Sequence, residues 1–109
     1  MSSTSPNVPQ YVFTNQTTNA NSNPCNLTYT DLAITLMAYG TWDGANITYQ
    51  TLTPDRTTWV NIFDIANNPV TSTADDQFAI NDFVKGKPFR AVLANAGAGT
   101  NLTVTLEDA

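Results

Sequence analysis

The chain has 109 residues and contains no histidine, one cysteine (Cys25), one glutamate and two lysines. Without histidine, catalytic triads that depend on it and the common histidine-containing zinc sites are excluded. A single cysteine forms no intramolecular disulfide, which excludes a domain stapled by cystines. No apolar run approaches the roughly 20 residues that cross a bilayer as a helix. Four cations against nine carboxylates leave a net charge of −5, which argues against nucleic acid as a partner.

Residue patterns that carry enzymatic chemistry are also missing. The sequence contains no P-loop, no G-x-G-x-x-G and no G-x-S-x-G motif. Asp75, Asp76 and Asp82 form the densest acidic group, but neighbouring residues on a strand point to opposite faces. We therefore interpret this group as a solvated loop, rather than as a glycosidase pair or a calcium site. Cys25 has no cation near it in sequence that would activate its thiol. The sequence predicts no catalytic residues, no metal, no cofactor and no enzyme.

The polar residues that replace the charges are threonine, with 18 copies, and asparagine, with 13. Threonine favours extended backbone because its branched Cβ is stiff at χ1. Asparagine favours turns, while the good helix formers glutamate and lysine are scarce. This composition predicts an all-β protein with a neutral, hydrogen-bonding surface.

Alternation of apolar and polar residues locates the strands. It predicts strands within residues 27–39, 46–52, 58–65, 77–81, 89–93 and 101–107. In residues 58–65 the apolar side switches, which indicates a bulge or a strand covered on both faces. Strands at this spacing are typical of an antiparallel β-sandwich. The pattern leaves jelly-roll and immunoglobulin-like strand orders open, because pairing is a long-range property.

Three short segments carry turn signals. Asp43-Gly44 predicts a type I′ hairpin turn, since both central residues of that turn need positive φ. Pro54 suits the second position of a polar turn over residues 53–57. The small residues at 96–99 predict a further hairpin loop.

The first 26 residues differ from the rest because they contain no charged side chain. We divide the chain into an extended N-terminal arm, residues 1–26, and a β-sandwich domain, residues 27–109. A disordered terminus and a short first strand are the alternatives to an arm that orders on a neighbouring subunit. Val8, Tyr11 and Phe13 are the candidate contact residues, and period-2 spacing places Tyr11 and Phe13 on one side of a strand.

Aromatic residues give a second candidate site. Trp42, Tyr49 and Trp59 lie on neighbouring predicted strands and could form a face on which a sugar ring stacks. The alternative is that the tryptophans fill the sandwich core. A nucleic-acid version of this face is disfavoured because the chain has no basic groove.

Two segments together resemble small virion proteins of tailed bacteriophages. They are YGTWDGANITYQ at residues 39–50 and TPDRTTWV at residues 53–60. The strands FRAVL at 89–93 and LTVTL at 102–106 are similar to the last two strands of those proteins. The resemblance covers residues 38–107 and does not include the arm. The chain departs from the family at residues 55–57, where a glycine-rich turn is usual.

The resemblance implies a structural role on the virion. It suggests a capsid decoration (cement) protein that binds the outer surface of the shell and bridges major capsid subunits. Proteins of this kind commonly form homotrimers, so the implied partners are the major capsid protein and further copies of the chain. No nucleic acid, membrane or cofactor is implied. The alternatives are a head-fibre, tail or adaptor module, or a carbohydrate-binding β-sandwich.

Overall fold

A computed structural model describes residues 10–26, 34–63, 66–80 and 88–108. Within these ranges the chain forms ten β-strands and no helix. The strands are β1 (Gln10–Gln16), β2 (Ala20–Asn21), β3 (Cys25–Asn26), β4 (Ile34–Thr41), β5 (Asn46–Leu52), β6 (Trp59–Asn61), β7 (Thr71–Ser72), β8 (Asp76–Ile80), β9 (Pro88–Ala94) and β10 (Asn101–Asp108).

The strands form two antiparallel sheets that pack together. The four-stranded sheet has the order β1-β10-β4-β8. In the six-stranded sheet β9 and β5 are central, β2 and β3 both pair with β9, and β6 and β7 both pair with β5. This arrangement confirms the all-β sandwich that the composition and alternation predict.

The strand order is that of a jelly roll. If β2 and β3 are counted as one interrupted strand, and β6 and β7 as another, eight strands remain. The first then pairs with the eighth, the second with the seventh, the third with the sixth and the fourth with the fifth. The chain is thus one long hairpin wrapped around the core, with its successive pairs in alternate sheets. This pairing decides between the two orders that the sequence left open.

The core lies between the sheets and contains the apolar residues that alternate along the central strands. β9 contributes Phe89, Ala91 and Leu93, and β10 contributes Leu102, Val104 and Leu106. β4 and β5 add Leu36, Ala38, Ile47 and Tyr49. The rings of Tyr49 and Phe89 stack with their centroids 6.0 Å apart, a contact worth about 1 kcal/mol beyond its buried area. In each of these strands the buried apolar residues are every second residue, which agrees with the alternation from which the strands were predicted.

The turn at Asp43-Gly44 has the predicted conformation but a different role. Asp43 and Gly44 have φ of 46° and 85°, and the Ala45 N–H donates to the Trp42 carbonyl at 2.9 Å. However, β4 and β5 belong to different sheets, so the turn carries the chain across the sandwich and does not form a hairpin. The hairpin prediction was wrong because local backbone preferences do not determine which strands pair.

The prediction of a hairpin loop at residues 96–99 was wrong for the same reason. The loop at residues 95–100 joins β9 of the six-stranded sheet to β10 of the four-stranded sheet, so it is a crossing loop and not a hairpin loop. It packs directly on the Asp43-Gly44 turn: the Gly99 N–H donates to Asp43 Oδ2 at 2.7 Å, and Thr100 Oγ1 donates to the Trp42 carbonyl at 2.9 Å. Two crossing connections therefore brace each other at one end of the sandwich.

The apolar switch within residues 58–65 has a physical explanation. After β6 the chain leaves the sheet edge at Ile62 and returns at Val70, whose N–H donates to the Ile62 carbonyl at 2.8 Å. Residues 64–65 of this excursion lie outside the described residues. Ile62 points into the core and Phe63 is exposed. An excursion from the edge, rather than a simple bulge, accounts for the change of side.

The N-terminal region differs from the predicted division into arm and domain. β1 pairs along β10, and β2 and β3 pair along β9. The Ser22 N–H donates to the Ala91 carbonyl, and Ser22 Oγ accepts from the Ala91 N–H. Residues 10–26 therefore belong to the sandwich, since their backbone polar groups complete both sheets. A short first strand, the alternative reading, describes β1 better than an arm does.

Candidate functional site

The three predicted contact residues have different positions. Val8 lies outside the described residues. Tyr11 is 56% exposed, whereas Phe13 is 5% exposed and belongs to the core. The register of β1 against β10 shifts between the two residues, because Tyr11 pairs with Thr105 and Phe13 with Val104. This bulge turns the two side chains to opposite faces, so the shared side predicted from period-2 spacing is wrong. Phe13 is a core residue here and not a surface contact.

The outer face of the four-stranded sheet gathers Tyr11 with two further exposed apolar side chains, Met37 and Tyr39. Thr105 stands opposite both Tyr11 and Met37, and Thr103 stands opposite Tyr39. Directly opposite residues of antiparallel strands share a face, so all of these side chains point outward. We call Tyr11, Met37 and Tyr39 the apolar face. Met37 and Tyr39 are 39% and 37% exposed.

An open cleft of about 310 Å³ adjoins the apolar face. It lies where β4 meets the start of β8 and is lined by Met37, Ala38, Tyr39, Asp75, Asp76 and Gln77. Gln77 pairs with Met37 across the two strands. The cleft adds polar groups to one border of the apolar face.

The acidic residues beside the cleft are engaged in structural hydrogen bonds. Asp75 Oδ1 accepts from the Trp42 indole Nε1–H at 2.9 Å and from the Gly40 N–H at 3.1 Å. Asp76 Oδ2 accepts from Ser72 Oγ at 2.9 Å. Asp82 lies outside the described residues. No metal-binding group of histidine, cysteine or acidic residues is present in the described part of the chain.

The three aromatic residues of the second candidate site do not share a face. Tyr49 is fully buried, and its hydroxyl bonds Ser72 Oγ at 2.8 Å. Burial raises the pKa of the Tyr49 phenol well above its usual range. Trp42 lies in the crossing turn, and its indole N–H donates to Asp75. Trp59 lies on β6, an edge strand of the six-stranded sheet. These residues therefore do not form the candidate stacking face, and the two tryptophans are only partly buried, so they do not fill the core either.

Trp59 instead stacks against a guanidinium. The Arg90 Cζ atom lies 4.5 Å from the centroid of the Trp59 ring. The Arg90 Nε–H donates to Gln50 Oε1 at 2.8 Å, and Gln50 Nε2 donates to Asn61 Oδ1 at 3.0 Å. Gln50 pairs with both Arg90 and Asn61 in the sheet register. The four residues form a connected row across three strands.

The turn that leads into Trp59 is held by a carboxylate. Asp55 Oδ1 accepts from Thr53 Oγ1 at 2.6 Å, from Thr57 Oγ1 at 2.8 Å and from the Thr57 N–H at 3.2 Å. The Arg56 N–H donates to the Thr53 carbonyl, so Pro54 occupies the predicted second position. Arg56 has a φ of 66°, the left-handed conformation that favours glycine.

Ionisation of the Asp55 carboxyl makes the stability of the chain depend on pH in the acidic range. The hydroxyl of Thr53, followed by the groups of Thr57, lowers the pKa of the Asp55 carboxyl below its usual value. A lowered pKa stabilises the fold above the unfolded-state pKa, and this stabilisation is lost as the pH falls through the folded-state pKa. We expect Asp55→Asn to lower Tm at about pH 6, and the difference in Tm to shrink as the pH falls and the Asp55 carboxyl becomes protonated. Thermal unfolding of both proteins over a series of pH values measures the effect, and a difference that stays constant as the pH falls would contradict it.

Cys25 is buried against β9, opposite Phe89. Burial raises the pKa of its thiol, which favours the unreactive protonated form. The burial agrees with the prediction of an inert cysteine.

Sequence reasoning did not single out three residues that the structure places on the outer faces of the sheets, Met37, Tyr39 and Arg90. The signal was present in the alternation, because Met37 and Arg90 lie on the opposite side from the core residues of their strands. A large apolar or charged residue on the solvent side of a strand is informative when others join it on the same face. Strand pairing decides which of these residues share a face, and the sequence of a single strand does not show it.

No family model matches the chain, and no curated protein or solved structure matches it. In the described ranges, no helix has the length and apolar character needed to cross a membrane.

Proposed function

We propose that this chain is a virion structural protein of a tailed bacteriophage, a decoration protein that binds the outer surface of the capsid through its apolar face. The observation that carries the proposal is the grouping of Tyr11, Met37 and Tyr39 on the outer side of one sheet. Tyrosine and methionine are enriched at protein interfaces, and the centres of interfaces are depleted of charge.

The fold supports this role. Jelly rolls are common in viral capsid and lectin domains, although a fold alone does not define a function. The crossing connections at residues 42–45 and 95–100 are joined by side-chain and backbone hydrogen bonds. A rigid face loses little conformational entropy when it binds, which favours affinity. The resemblance of residues 38–107 to phage virion proteins points in the same direction.

The proposed mechanism is mass action on the assembled shell. A protein that binds only the assembled shell stabilises it by its binding free energy. A trimer that engages several major capsid subunits at once gains further from multivalency. Light scattering coupled to size exclusion gives the solution mass of the chain, and a mass near three times that of the chain supports the trimer.

Substitution of the apolar face is expected to weaken capsid binding. The double variant Met37→Thr/Tyr39→Thr keeps β-forming side chains but removes two contacts of about 1–2 kcal/mol each. We expect affinity for purified shells of the encoding virus to fall by about 50-fold. Co-sedimentation of the variant with these shells, at a series of protein concentrations, measures the change.

The matched control is Val60→Thr/Phe63→Thr. These residues are 42% and 47% exposed but belong to the edge of the six-stranded sheet, away from the apolar face. Their substitution is expected to leave binding and Tm unchanged. Equal loss in both double variants, or full binding by the Met37/Tyr39 variant, would overturn the assignment of the face.

Copy number separates decoration from the other virion roles. A decoration protein is present in hundreds of copies per particle, whereas most tail parts have about a dozen or fewer, because closed symmetry sets the number of equivalent sites. Quantitative mass spectrometry of purified virions measures this number against the major capsid protein. A low copy number would favour a head-fibre, tail or adaptor module.

A further inference from the structure

The six-stranded sheet has an unusual distribution of charge. Its strands contain no aspartate and no glutamate, and Arg90 is their one charged residue. The chain as a whole carries nine carboxylates and a net charge of −5. The contacts that the structure gives the Arg90 guanidinium are with neutral groups, the Trp59 ring and the Gln50 amide. Arg90 is therefore a cation in a sheet whose strands contain no carboxylate, although the protein as a whole is acidic.

The guanidinium is held in one orientation. Trp59 covers one face of its plane at 4.5 Å, and Gln50 Oε1 accepts from its Nε–H at 2.8 Å. Asn61 holds the Gln50 amide in turn, so the amide points its oxygen at Arg90. Partial burial lowers the pKa of the Arg90 guanidinium from its usual value, although an arginine stays charged at any physiological pH. Little side-chain entropy remains to be lost when a ligand binds.

The donors that remain on Arg90 define the ligand. A guanidinium has five N–H donors, and Gln50 uses the one on Nε. The N–H groups of the two Nη atoms match the two oxygens of a carboxylate in a bidentate pair. A neutral sugar is a poorer fit, because Arg90 covers a face of the Trp59 ring and the Gln50 and Asn61 amides bond each other.

We propose that the row Trp59, Arg90, Gln50 and Asn61 is a binding site for an aspartate or glutamate side chain of a partner protein. Charge complementarity carries the assignment, because the strands of this sheet offer the guanidinium no carboxylate and its Nη donors match one. Tryptophan and arginine are also the residues most enriched among binding hot spots. The site lies on the outer face of the six-stranded sheet, on the other side of the sandwich from the apolar face, and does not depend on the proposed function.

Titration with a hexaglutamate peptide tests the site. The readouts are the side-chain Nε–H signals of Arg90 and Arg56 and the indole N–H signals of Trp59 and Trp42 in nitrogen-15 NMR spectra of the full chain. Arg56 is an internal control because it is exposed in a turn and no aromatic ring of the described residues stacks on it. We expect the Arg90 and Trp59 signals to saturate at a peptide concentration about tenfold lower than Arg56 requires. Hexaglutamine is expected to move none of these signals.

The variant Arg90→Lys keeps the charge but lacks the planar fork, so the Trp59 signal is expected to lose its response to hexaglutamate. Unchanged backbone spectra outside the row would show that the variant is folded. Parallel titration of Arg56 and Arg90, or no response of Arg90, would overturn the site and leave the stack as a purely structural clamp. A response to a hexamer of mannuronate without one to hexaglutamate would overturn the protein partner in favour of an acidic saccharide.

Discussion

Removal of residues 1–26 is expected to abolish cooperative folding of the chain. The deletion removes β1, β2 and β3, which cover the outer edges of β10 and β9. It also removes Phe13 from the core, and loss of a buried phenylalanine alone costs about 3–5 kcal/mol. Together with the exposed strand edges, this loss is of the same order as the whole stability of an ordinary small domain, about 5–15 kcal/mol. The sequence division into arm and domain makes the opposite prediction, a folded sandwich.

Thermal unfolding followed by circular dichroism distinguishes the two expectations. The matched control is a deletion of residues 1–9, which leaves all ten strands intact and is expected to keep a cooperative transition. Phe13→Ala in the full chain is expected to lower Tm while retaining cooperativity. A sharp transition near the full-chain Tm after deletion of 1–26 would contradict the pairing described for β1 to β3.

Gly40→Ala is expected to destabilise the four-stranded sheet strongly, although it adds only one methyl group. Gly40 has a φ of 134°, which side chains rarely adopt, and it pairs with Leu102 on β10. A Cβ at this position would collide with the backbone carbonyl oxygen of Asn101. Because backbone atoms cannot move aside without breaking the pairing, we expect a loss of about 3–4 kcal/mol. This corresponds to a fall in Tm of roughly 15 °C or more.

Gly44→Ala separates the cost of the positive φ from the cost of the collision with Asn101. Gly44 also has a positive φ, 85°, but a Cβ there would meet no atom within 4 Å. We expect a cost of about 1 kcal/mol, from the backbone conformation alone. Urea unfolding of both variants measures the difference. Equal losses at the two positions would mean that the contact with Asn101 contributes nothing.

Much of the fold could be predicted from local sequence pattern. Alternation in β9 and β10 identified the core residues Phe89, Leu93 and Leu102, because a strand turns successive side chains to opposite faces regardless of its partners. The turns at Asp43-Gly44 and Pro54 were predictable because φ preferences are properties of single residues. The local conformation of these turns was predicted correctly, although the prediction that Asp43-Gly44 closes a hairpin was wrong.

The candidate sites were less predictable because they depend on strand pairing. Met37 and Tyr39 belong to one strand, but Tyr11 joins them only through β10, which lies between β1 and β4. Trp59 and Arg90 are 31 positions apart and meet across β5. Neither grouping can be recognised from a short segment of the sequence. The shift of register in β1 is a further example, since one bulge moved Phe13 from the predicted surface into the core.

The sequence by itself determined that the chain is an all-β sandwich, where its central strands and the turns at Asp43-Gly44 and Pro54 lie, and which residue types it lacks, because composition, alternation and φ preferences act locally. Only the tertiary structure decided that the sandwich is a jelly roll, that the turn at Asp43-Gly44 crosses between sheets, and which exposed residues share a face. These features follow from the free energy of packing two sheets around one core. That energy depends on contacts between residues far apart in the chain.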